Sequence, residues 1–223
     1  QVEKTTVLQD WRTVIRNRSF LLFSTAMIGS YVLSFQVYLA LPLHANALFP
    51  AHESTIVAMV FVVSGLVAVA GQLRITRWFT QRWGSGHSLV IGMLILAAAF
   101  TPMIAIPNVE RWGGVAAVTA LVVAAGVLAV GSAAVFPFEM DTVVSLAENR
   151  LVGTHYGFYN TIVGVGILAG NLATGALMQA ARDAGRDEIV WIVLTAIGLI
   201  AAAALYRLDR TGRLVPDSAI PSD

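Results

Sequence analysis

Few polar side chains enter the apolar parts of this chain, and those few are where any chemistry would have to reside. Glu139 and Asp141 follow a run containing Ser132, Phe136 and Pro137. A carboxylate pair at that place either closes a gate against basic residues such as Arg74, Arg77 and Arg150 or simply sits in water. Asn160, Gly164, Ile167, Asn171 and Thr174 recur at helical spacing and so share one face. An amide in hydrocarbon is costly unless paired, so this face either looks into a cavity or supplies hydrogen bonds between helices. Tyr31 and Phe35, with Ser24, Ser34 and Tyr38 nearby, form a second such face. Aromatic rings among hydroxyls can line an amphipathic cavity and stack on aromatic or cationic ligands, or can serve packing alone. Ser132 and Phe136 join the cavity candidates from the fourth apolar stretch.

Other chemistries fit poorly. The chain has no cysteine, which removes disulfides, thiolate metal sites and cysteine nucleophiles. His44 and His52 lack a compact metal-ligand spacing. Ser85, in Gly84-Ser85-Gly86-His87, superficially suggests a nucleophile but lies in a basic loop. The reading is therefore not an enzyme, with no cofactor, no metal and no nucleic-acid partner.

The elements that hold these residues are unusually apolar. Of 223 residues, 57% are hydrophobic and 12% charged, about half the charged share of soluble domains. Six stretches, 19–42, 55–73, 88–106, 113–138, 153–180 and 188–206, carry no charge in their interiors. At about 1.5 Å per residue, ~20 residues cross a ~30 Å hydrocarbon core, so all six can span a bilayer. Eleven of the 14 Lys and Arg lie in the two terminal segments and the second and fourth loops, against three in the other loops. That bias predicts both termini in the cytoplasm, with no extramembrane domain on either side.

Residues 1–18 read as a cytoplasmic linker, either a short amphipathic helix (Val7, Leu8, Trp11, Val14 and Ile15 on one side) or an ordinary linker with a tryptophan anchor. Gln1 in place of Met suggests a processed or partial chain. Residues 19–206 form the transmembrane bundle, and 207–223 a cytoplasmic tail disordered at its end. Three spans in each half make the second triplet inverted relative to the first. The glycines of the fifth span, Gly153 with Gly157, Gly166 with Gly170, and Gly175, are expected at close helix contacts.

Three segments resemble the C-terminal half of a major facilitator superfamily transporter. Gly71–Gly84, with its basic and aromatic residues, looks like a degenerate second copy of the family's loop signature, with Ile75 near the place of the acidic residue. The segment 146–153 with Gly157 looks like the start of the eleventh helix of drug exporters. Gly166–Gly175 is similar to the antiporter glycine motif, with Asn171 near its absent proline. The resemblance implies an all-α membrane protein: six transmembrane helices in two inverted three-helix repeats, half of a twelve-helix fold. It also implies alternating access in a bacterial inner membrane, with an N-terminal six-helix half as partner and a drug-like amphipathic substrate exchanged for protons. A metabolite transporter of the same fold and a non-transporting assembly subunit are the alternatives. Spans one, two, four and five are expected to face the cavity. No Asp or Glu lies within the six stretches, so the coupling carboxylate is expected in the other half, with Glu139 the nearest substitute here.

Overall fold

The computed structural model describes residues 7–106, 112–148 and 151–214, residues 7–10 by backbone alone. The helices are α1 (Val7–Arg16), α2 (Arg18–Ser34), α3 (Ala40–Leu48), α4 (Glu53–Ala98), α5 (Thr101–Ala105), α6 (Gly114–Leu146), α7 (Val152–Asp183) and α8 (Glu188–Arg210). No strand occurs among the described residues. A chain with this hydropathy must satisfy its backbone internally, and helices do so within each segment.

Five helical segments are long and apolar enough to cross a membrane: Arg18–Leu48, Glu53–Ala105, Gly114–Leu146, Val152–Asp183 and Glu188–Arg210. The second holds two spans, because α4 breaks at Gly84, where φ is 67° and ψ −178°. Only glycine adopts that conformation readily, since any Cβ would strain it. The expected second loop is thus a single bend: nothing from Gly71 to Trp83 interrupts a helix, and the arginines ride on its last turns. The first span is broken differently, with a 3-10 turn at Phe35–Val37 between α2 and α3.

Span one (α2–α3) lies against spans five and six (α7 and α8), while span four (α6) lies against both limbs of α4. Glycines bring these elements together. A Cβ at Gly166 or Gly170 would meet Ile28 or Val32 at 2.5 Å; one at Gly29 would meet Ala201 at 2.7 Å; one at Gly92 would meet Val135 at 2.6 Å. Gly198 is equally close to Ala97, joining spans three and six. Exchanging spans one to three for four to six maps this contact pattern onto itself, as two inverted triplets require. Small residues permit such approaches where lipid offers little apolar drive for association.

Gly166 and Gly170 thus sit at close approaches between helices, and the other glycines singled out on this span do not. Nothing lies within 4 Å of a Cβ built at Gly153, Gly157 or Gly175. Those three are not packing positions in this bundle. The N-terminal segment is helical, with Val14 buried and Trp11 edge-on to Phe158 of α7 at 5.3 Å. His44 sits on α3, buried edge-on against Trp191 at 5.1 Å. Arg150 and the tail from 215 onward lie outside the described residues.

Candidate functional site

The apolar run of span four ends at Phe138, but its helix does not. Helix α6 continues to Leu146, and 33 residues make it roughly 50 Å long, well beyond the hydrocarbon thickness. Glu139 consequently lies two turns inside the helix and is only 1% exposed. This corrects the expectation that it borders the span in water. It also corrects the premise that these spans contain no acid.

Two tyrosines hold Glu139. Tyr31 of α2 donates to Oε1 at 2.6 Å, and the fully buried Tyr159 of α7 donates to the same oxygen. Tyr159 is placed by ring stacking on Phe23, and one turn earlier Tyr156 donates to the Met140 carbonyl at 3.0 Å. Three spans thus converge on one carboxyl group. As a carboxylate it accepts from both hydroxyls; as an acid it can donate to one of them, because tyrosine oxygen also accepts. The group can therefore be held in either protonation state without rebuilding its surroundings.

One turn further along α2, the Ser34 and Ser132 hydroxyls share a hydrogen bond of 2.9 Å. Here begins a cavity of about 490 Å³ between span one, the first limb of α4 and span four. Its walls include Ser34, Phe35, Tyr38, Phe61, Ser132 and Phe136. Ser132, Phe136 and Glu139 recur at i, i+4 and i+7 and so share a face of α6. Tyr38 stacks on Phe61 with ring centroids 5.7 Å apart. Aromatic walls with a few hydroxyls and the one amide of Gln72 suit an amphipathic ligand.

The polar face of span five does not join this cavity. Thr174 is buried along a separate apolar groove between α2, α7 and α8. Asn160 is exposed, and Asn171 is half-buried with its Oδ1 shielded and unpaired. Among the described residues the two faces do not share this cavity: α7 turns its tyrosines toward span four and its amides elsewhere. The arginine-gate alternative finds no ion pair among the described residues. Asp141 accepts from Ser85 at 3.1 Å, and Glu139 is bound by tyrosines. Among the described residues the ion pairs are His87–Asp209 and Arg186–Glu188, so Arg74 and Arg77 engage neither acid.

The sequence model of the Major Facilitator Superfamily matches residues 1–171. The chain belongs to the major facilitator superfamily. It is 60% identical to an MFS-type transporter of Mycobacterium tuberculosis over 93% of this chain and 49% of that protein. It is 27% identical to the multidrug resistance protein MdtH of Klebsiella pneumoniae over 91% of this chain and 48% of that protein. The chain thus spans about half the length of the curated relatives it matches. With its six spans, it corresponds in extent to about half of such a superfamily protein.

The Tyr159–Glu139–Tyr31 cluster is the part of the site that its sequence reading missed most clearly. Tyr159 precedes the singled-out Asn160 by one residue, about 100° round the helix, and is buried where Asn160 is exposed. A usable signal existed in Tyr156 and Tyr159 at i and i+3, two aromatic hydroxyls along one side of α7.

Proposed function

We propose that these six spans are one half of a secondary active transporter that works with an N-terminal six-helix half. It moves a small amphipathic, drug-like molecule across a bacterial inner membrane by alternating access and exports it in exchange for protons. One juxtaposition carries this reading: the cavity and the buried carboxyl share the α2–α6 seam, one helical turn apart. Rocking α6 against α2 separates Ser34 from Ser132 and Tyr31 from Glu139 together. Glu139 then meets water on one side of the cycle and is sealed by tyrosines on the other, as a proton carrier must be. No Lys, Arg, Asp or Glu lines the described cavity, which favours amphipathic, weakly charged or cationic cargo. The multidrug resistance name of the MdtH relative supports that choice of cargo.

The test is flux through the complete natural protein in proteoliposomes with an imposed pH gradient, read with a lipophilic fluorescent cation. Transport that follows the gradient and stops with a protonophore is expected. Transport indifferent to the gradient overturns proton coupling, and no transport of any tested solute leaves the assembly-subunit reading standing instead.

A further inference from the structure

At the bend of α4 a second cavity, of about 540 Å³, opens beside the helix surface, apart from the site described above. Trp83, Phe79 and Trp78 line it nearest the bend; Arg74 and Ile75 lie further up the first limb, Ile91 and Ile95 on the second, and Val130 on span four. The three rings make a tight mutual cluster, with Trp78 edge-on to Trp83 at 4.6 Å and Phe79 to Trp83 at 5.1 Å. Phe79 is buried beneath them, whereas Trp78 is 53% exposed. The cavity is therefore aromatic near the bend, basic at Arg74, and aliphatic along Ile75, Ile91, Ile95 and Val130. That combination matches a phospholipid, whose phosphate lies at the interface and whose chain runs into the hydrocarbon.

We propose that this cavity seats one anionic phospholipid, with an acyl chain along Ile91, Ile95 and Val130 and its headgroup phosphate at Arg74. Charge selects the headgroup class. An aromatic cluster alone could take a quaternary ammonium group through cation–π attraction. Arg74 in the wall disfavours a cation there, and Arg77 and Arg82 add positive charge to the same helix end. Asp141 and Asp209, the acids near this bend, are engaged by Ser85 and His87. Basic side chains beside a span favour anionic lipid, each by about fivefold near the membrane surface. Guanidinium also pairs with phosphate through two parallel N–H donors. This inference does not rest on the transport reading, since it concerns occupancy alone.

The complete natural protein, reconstituted in phosphatidylcholine vesicles, is titrated with brominated phosphatidylglycerol or brominated phosphatidylcholine while tryptophan fluorescence is followed. Trp78 and Trp83 sit within the site and report its occupancy. Brominated phosphatidylglycerol should quench at several-fold lower mole fraction than its zwitterionic counterpart. The excess should vanish in a Trp78→Phe/Trp83→Phe double variant, and Arg74→Gln should reduce it roughly fivefold. Equal quenching by both lipids in the unsubstituted protein overturns the proposal whatever the variants do. An excess that survives the double variant assigns the preference to other tryptophans and overturns it too.

Discussion

Glu139 depends on two hydroxyls, and the two differ in exposure. Tyr159 is fully buried, so Tyr159→Phe removes a donor that water cannot easily replace. Leaving a buried acceptor short by one partner costs about 1–3 kcal/mol. Tyr159→Phe should therefore lower the midpoint of thermal unfolding in detergent, and half-buried Tyr31→Phe should lower it less. Equal shifts would mean that both hydroxyls are equally shielded. At the cavity, Ser132→Ala removes the partner of Ser34 without adding bulk. It should alter which amphipathic solutes compete for transport while leaving the unfolding midpoint within about 0.5 kcal/mol of equivalent stability. Competition assays with a panel of dyes read that outcome directly.

Among the elements, glycines separate into those that touch a neighbour and those that do not. Gly170→Leu forces a side chain into Val32, and overpacking of this kind costs about 1–3 kcal/mol. Gly153→Ala meets open space and should raise helix stability slightly, by up to about 1 kcal/mol. Unfolding midpoints of the two variants should thus move in opposite directions. At the α4 bend, Gly84→Ala imposes a Cβ on a glycine-only conformation at about 1–3 kcal/mol, and should loosen spans two and three against each other. Amide hydrogen exchange across 78–90 would rise accordingly.

These contrasts also show what the sequence could and could not convey. Charge-free runs located every span, because the bilayer penalises charge in the same way along the whole chain. They misplaced Glu139, because a helix longer than the membrane carries polar residues inside it without ending. The GxxxG spacing identified Gly166 and Gly170 but could not exclude Gly153 and Gly157, since spacing is one-dimensional and a facing neighbour is not. The amide face of span five drew attention away from Tyr159, whose role depends on which side of α7 meets α6.

For the molecule as a whole, the inverted packing makes span one and span four the symmetric pair at the centre. On the proposed reading, the bonds between them, Ser34 to Ser132 and Tyr31 to Glu139, are those that moving one triplet against the other would break. An ordinary structural cross-link would stabilise the bundle without regard to protons. The account instead makes Glu139 the group that ties conformation to proton movement, within this half and not only in its partner. The decisive measurement compares the complete natural protein with its Glu139→Gln variant in proteoliposomes, each assayed for gradient-driven transport and for substrate exchange at equal pH. The amide keeps the size and hydrogen bonding of the side chain but cannot carry a proton. The account predicts that gradient-driven transport falls to background while exchange persists. Gradient-driven transport that survives at the unsubstituted rate would contradict it.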